Sequence, residues 1–181
     1  GARKILRRRR MRPRPGRILG RMDRVYLDHL STTPPDPRVL EAMRPYVAVR
    51  FGHPASRSHV FGWEAEKAVE TARARVADLI GAEPAEIVFT SGGTEADNLA
   101  LKGLAEQRSS KGRHLVTTQV ENRPVLDTLA FLERRGFRVT RVATDGTGRV
   151  DPAAIDDAID DETILVSVQA ANHELGTRQP L

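Results

Sequence analysis

Cysteine is absent from the 181 residues. Disulfides, thiolate metal sites and any reaction in which this chain supplies a cysteine nucleophile are therefore excluded. The same lack fits a reducing compartment, and a cytoplasmic setting is expected. No apolar run approaches the roughly 18 residues of a membrane-crossing helix, so no membrane role is expected. Neither G-x-G-x-x-G nor GK[ST] occurs, which removes the dinucleotide fingerprint and the P-loop. The histidines, His29, His53, His59, His114 and His173, show neither HxxxH nor HExxH spacing and have no cysteine companions, so no metal site is expected.

Acidic residues are missing from residues 1–21, which carry nine arginines and Lys4. The remaining 160 residues hold 19 basic and 24 acidic side chains. The overall charge of +5 and the pI of 10.2 thus describe the tail. The body is mildly acidic and shows no basic stripe, so a nucleic-acid partner is not expected. The tail has no continuous apolar stretch and is not a secretory signal. Pro13 and Pro15 oppose an amphipathic helix, and like charges this dense repel, so disorder is expected. Three readings of it remain: a segment preceding a natural start at Met22, a non-specific arm for phosphate backbones or acidic surfaces, or organelle targeting. The first is favoured because globular patterning begins at Met22.

The whole chain is 39% hydrophobic and 29% charged, as in a soluble domain or a piece of one. Residues 25–27 read as a short extended segment. Val39, Ala42, Met43 and Tyr46 predict a helix over 37–47. Val60, Ala65, Ala68, Val69, Ala72, Val76, Leu79 and Ile80 predict a helix over 60–80, stopped by Gly81. Ile87 to Thr90 reads as a buried strand. Helices are predicted over 94–107, 123–135 and 151–159, the last with an Asp cap and Pro152 at its first position. Strands are predicted over 115–118, 137–142 and 163–168. Such alternation predicts an α/β domain with a mostly parallel sheet flanked by helices.

The sharpest local signal is the run from Ile87 through Ser91, Gly92, Gly93 and Thr94 to Asn98. A buried strand enters two glycines and then a helix. Glycines let the backbone approach a ligand, the helix start offers unpaired N–H groups and a positive dipole end, and Thr94 adds a hydroxyl. Together they suit a phosphate group, although Gly-Gly-Thr taken alone favours a tight strand–helix turn with Thr94 as a plain cap. Glu95 and Asp97 read as helix-start carboxylates, and Trp63 as a packing residue.

Several longer runs occur together: 25–28 with 31–34, 51–59, 86–98, 163–168 and 171–176. In order and spacing they resemble the cysteine desulfurases, enzymes of the class V aminotransferase family that use pyridoxal 5'-phosphate (PLP). The resemblance covers nearly all of residues 24–181. It implies a type I PLP-dependent transferase fold, of which 22–181 would be the N-terminal part of the large domain. It implies that Gly93 and Thr94 hold the coenzyme phosphate and that Asn172 bonds its phenolic oxygen. The alternative for Asn172 is a loop residue bonding its own backbone.

Asn122 stands where that family has a histidine that stacks on the coenzyme ring. Asparagine can lie against the ring but cannot titrate near neutral pH. In an otherwise complete site, coenzyme binding is therefore expected to persist while turnover falls. His29 with Leu30, His53 and His173 are smaller departures, which bear on substrate contacts. The family's coenzyme-binding lysine, its pyridine-binding aspartate and its nucleophilic cysteine have no match here. Lys4, Lys67, Lys102 and Lys111 sit at other positions. The chain alone is thus expected to be inactive and to bind PLP weakly or not at all. A homodimer or a complementing C-terminal chain, and a sulfur acceptor protein, are the partners that the resemblance implies. A degenerate, non-catalytic relative acting as a binding or dimerisation partner is the alternative. Deleting residues 1–21 is expected to leave solubility, assembly and ligand binding unchanged, as checked by size-exclusion chromatography and titration; a loss of binding would favour the arm.

Overall fold

The computed structural model describes residues 25–29 and 31–181. They fall in two units, one reaching to Asp36 and one spanning Pro37–Leu181. Residues 1–21, Lys4 among them, and Leu30 lie outside the described residues. In the first unit no strand forms over 25–27. A turn closes there instead, with Ser31 and Thr32 N–H groups donating to Asp28 O at 3.2 and 3.3 Å and Ser31 Oγ donating to Asp28 Oδ1 at 2.8 Å.

The second unit carries α1 (Pro37–Ala48), α2 (Val60–Ile80), α3 (Gly93–Arg108), β1 (His114–Thr118), α4 (Arg123–Arg134), β2 (Arg138–Val142), α5 (Pro152–Ala158) and β3 (Thr163–Ser167). The three strands form one parallel sheet in the order β2-β1-β3. The predicted α/β architecture is observed, and the sheet is wholly parallel. Boundaries follow local chemistry. Gly81 ends α2 at φ 69°, a left-handed conformation that costs glycine little. Asp151 Oδ1 accepts the Ala153 N–H, and Pro152 opens α5 with a nitrogen that needs no acceptor.

All five residues of β1 are buried. Alternation sends Leu115 to one face, against Leu101 and Ala105 of α3, Val125, Leu129 and Leu132 of α4, and Phe137. Val116 points to the other, with Val142, Val150 and the α5 residues Ala154, Ile155 and Ala158. Each fully buried leucine contributes about 1.5–3 kcal/mol of transfer free energy. At the entrance to the sheet, His114 is buried and crosses all three strands. Its Nδ1 lies 2.7 Å from Thr163 Oγ1 and 3.2 Å from Asp160 Oδ1. Its Nε2 lies 2.8 Å from Thr140 Oγ1. Arg138 Nη2 donates to Asp160 Oδ2 at 2.5 Å.

Two expectations need correction. Ile87 to Thr90 is neither strand nor buried: Val88 is 64% and Phe89 50% exposed. A strand exists only as a pairing, and no described segment pairs with this one. The Arg73 guanidinium takes the Ile87 carbonyl and stacks 5.1 Å from the Phe89 ring centroid. Trp63 is half exposed and donates its indole N–H to Arg57 O at 2.7 Å, so it tethers the preceding loop more than it packs. That loop approaches α2 closely: a Cβ on Gly62 would sit 1.7 Å from Ser56 O. The apolar faces of α1 and α2 form as predicted but are not covered. In α2 only Gly62 and Ala77 are buried, and in α1 none.

The Arg138 hydrogen bond, foremost among its contacts, lowers the Asp160 carboxyl from 3.8 to about 2. A lowered carboxylate stabilises the fold above its unfolded value and ceases to do so as pH falls through the folded one. Asp160→Asn is therefore expected to be less stable than the parent at neutral pH, with the difference closing between about pH 4 and about pH 2, as read by urea unfolding across that range.

Candidate functional site

Ligands of parallel α/β sheets bind outside the carboxyl ends of the strands. Here those ends belong to β1, which exits toward α4, and to β3, its neighbour. The loop into α3 is held by side chains. Ser91 N–H and Oγ both donate to Glu95 Oε2, at 2.6 and 2.7 Å, and Thr90 Oγ1 donates to Gly92 O at 3.1 Å. The first backbone bond of α3 runs from Ala96 N–H to Gly92 O at 3.1 Å. The N–H groups of Gly93, Thr94 and Glu95 therefore have no intrahelical acceptor. A Cβ at Gly92 or Gly93 would meet nothing within 4 Å, so the helix start opens onto free space. The Ser91 bonds hold the Glu95 carboxyl below its usual value, and one negative charge already sits at this dipole end.

Thr94 lies on the side of α3 that faces α4. With Asn98 and Lys102 it lines a groove whose other wall is Arg123, Pro124, Asp127, Thr128 and Phe131. The Lys102 ammonium sits 4.6 Å from the Phe131 ring centroid, away from the helix start. Asn122 is the residue before α4. It is exposed, and its side chain does not cap the helix.

Asn172, on the loop after β3, is 7% exposed. Its Oδ1 accepts the N–H groups of Glu174 and Leu175 at 2.9 and 2.8 Å. Its Nδ2 donates to Val120 O at 3.0 Å. The backbone-bonding alternative is thus what the side chain does in this structure, with one Nδ2 proton to spare. The fold brings Asn172 beside the segment leading to Asn122, and Thr94 beside the first turn of α4. Asn122 and Asn172 follow the carboxyl ends of β1 and β3, whereas Gly93 and Thr94 open α3 after a segment that joins no strand.

Sequence reasoning gave no role to Glu121 and Gln169. Glu121 is 9% exposed, and its Oε1 accepts the Gln169 N–H at 2.5 Å. Burial pushes its carboxyl above the usual value, and the nearby Asp97 charge adds to that, against the N–H groups of Gln169 and Asn122. A lone acid after a strand carries no periodicity that would have revealed its burial. The Thr118 hydroxyl, at the end of β1, is buried without a hydrogen-bond partner, and nothing in the structure explains it.

The family model for class V aminotransferases matches residues 25–181, and the chain belongs to that family. Within it the chain is similar to cysteine desulfurases. It is 55% identical over 157 residues to cysteine desulfurase IscS of Neisseria meningitidis, covering 87% of this chain and 39% of that protein. It is 52% identical over 160 residues to the mitosomal cysteine desulfurase of Trachipleistophora hominis, covering 87% and 36%. Among solved structures, a NifS-like protein superposes with a TM-score of 0.82 at 42% identity, over 87% of this chain and 43% of that one. SspA in complex with cysteine gives 0.79 at 40% identity, over 86% and 44%. The chain thus spans about two fifths of the length of these relatives and shares their α/β fold over that part.

Asn172→Ala removes an acceptor from two backbone N–H groups and a donor from Val120 O. It is expected to cost about 1–3 kcal/mol, measured as a lower urea midpoint with an unchanged slope.

Proposed function

We propose that this chain is the N-terminal part of a PLP-dependent cysteine desulfurase that takes sulfur from L-cysteine for iron–sulfur cluster or thio-cofactor assembly. The observation that carries the reading is the open start of α3 at Gly92-Gly93-Thr94, on a chain 55% identical to a cysteine desulfurase. The residues fit a phosphate: a helix start left open at Gly92 and Gly93 offers three N–H groups without an intrahelical acceptor, the positive dipole end and, in its first turn, the Thr94 hydroxyl. Asn172 has a spare amide proton for the coenzyme's phenolic oxygen. When bound, the coenzyme supplies the electron sink that weakens bonds at the amino-acid substrate's α-carbon. This chain's residues bind its phosphate, orient its ring and present Asn122 to its face.

The lysine, aspartate and cysteine that the chemistry needs are assigned to polypeptide beyond these 181 residues. Lys67, Lys102 and Lys111 are not placed to replace the lysine: Lys102 is held over Phe131, and the others lie in α2 and after α3. The chain alone is then inactive and binds PLP weakly. A dimer or a complementing C-terminal chain would cover the exposed residues Val88, Phe89, Leu79 and Ile80, whose apolar surface favours association. No described helix is long and apolar enough to cross a membrane, and a cytoplasmic setting is proposed from the lack of cysteine. Asn122 supports a second reading, a non-catalytic relative that binds a partner, because asparagine cannot shuttle a proton.

Mixing this chain with a C-terminal complement from a cysteine desulfurase relative and assaying PLP binding and sulfide release separates the two. Restored binding that Thr94→Val weakens by at least about tenfold, the loss of a charge-assisted bond, supports the coenzyme reading. Binding untouched by Thr94→Val would sink it. In the complemented enzyme Asn122→His is expected to raise turnover by roughly 100-fold. No sulfide release with either residue would favour the binding partner.

A further inference from the structure

Hydrogen-bond pairing between β1 and β3 ends at Thr117 and Ser167. Thr118 pairs only with Val142 on the opposite edge. Beyond that point the two loops that carry Asn122 and Asn172 are joined by side chains. Glu121 Oε1 accepts the Gln169 N–H at 2.5 Å. Gln169 Nε2 donates to Val120 O, and Asn172 Nδ2 donates to the same carbonyl at 3.0 Å. Val120 O is therefore shared by two amides, and Glu121, its neighbour in the chain, anchors the backbone from which one of them projects.

The charge on this anchor is unusual. Glu121 is buried, no cation pairs with it among the described residues, and the charged group facing it is another acid, Asp97 on α3. Its compensation comes from the N–H groups of Gln169 and Asn122, one from each loop. An ionised acceptor holds an N–H more tightly than a neutral one, so the strength of the fastening follows the ionisation of this one carboxyl.

We propose that Glu121 is a positioning residue whose carboxyl fastens the loop after β3 to the loop after β1 and so fixes where the Asn172 amide stands relative to Asn122. The proposal rests on the coenzyme reading only in taking those two asparagines as coenzyme contacts. The joint itself is a property of this chain. Glu121 then touches no coenzyme atom and acts through Gln169 and Asn172.

The test uses the 181-residue chain, labelled with 15N. The Gln169 backbone amide and the Asn172 side-chain amide are followed by NMR as pH is raised. Both are expected to titrate with one common midpoint above 4.5, the ordinary value for this carboxyl, and to stop doing so in Glu121→Gln. An Asn172 amide that ignores the Glu121 titration overturns the proposal. Amide exchange over residues 168–177 is a second measurement. Glu121→Ala is expected to speed it by about 10- to 100-fold, as the loss of a charge-assisted bond implies, with Glu121→Gln, which keeps a neutral acceptor, restoring only part of the protection. Exchange unaltered in Glu121→Ala also overturns it. With the C-terminal complement added, PLP affinity is expected to fall in Glu121→Ala and recover in part in Glu121→Gln; equal affinity in all three overturns the positioning role. If the complemented parent chain binds no PLP, the coenzyme reading fails, while the amide titration and exchange still decide the joint.

Discussion

The five residues of β1 pair with β2 along their whole length and with β3 as far as Thr117, and all five are buried. Both cores of the second unit use this strand, Leu115 on one face and Val116 on the other. The loops that carry Asn122 and Asn172 follow its carboxyl end and that of its neighbour β3. His114 repeats the arrangement in polar form at the opposite end, where one imidazole contacts groups from both adjacent strands. A change that moved β1 would therefore move the cores and the site together, because neither face has a second strand buried on both sides to which it could shift.

The rest of the chain is held less firmly. The faces of α1 and α2 and the segment Ile87–Thr90 carry apolar side chains that stay open to solvent. Their patterning is that of buried elements, so the surface they would bury against is not supplied by the described residues. In the proposed function that surface belongs to the remaining part of a longer enzyme or to a partner. The start of α3 follows the open segment Ile87–Thr90 and faces the first turn of α4, so the proposed phosphate site adjoins uncovered apolar surface.

Acidic side chains surround a site read as anion-binding. Glu95 sits at the helix dipole and is occupied by Ser91. Glu121 and Asp97 face one another behind it. The opposite shifts of Glu95 and Glu121 follow from their surroundings: Glu95 is exposed and hydrogen-bonded, whereas Glu121 is buried beside a like charge. A phosphate at Gly93 and Thr94 would rely on backbone N–H groups and the dipole, with no described lysine or arginine assigned to it.

Local chemistry settled much of this molecule before any coordinates. Periodicity located α1 and α2, Gly81 and Asp151 marked limits of α2 and α5, and the runs around Thr94 and Asn172 pointed to the family. These features are legible because each depends on residues close in the chain. Ile87–Thr90 was misread for the complementary reason. Its composition is that of a strand, but strand formation requires a partner, and partners are distant in sequence. Burial of Glu121, its hold on Gln169 and the use of Asn172 by its own loop were likewise invisible. Amino-acid order by itself determined the helices, the caps at Gly81 and Asp151, the lack of cysteine in these residues and the kinship. Tertiary structure alone decided which polar groups meet across the gap between β1 and β3, because that depends on where two strands cease to pair, a distance in space that no spacing along the chain records.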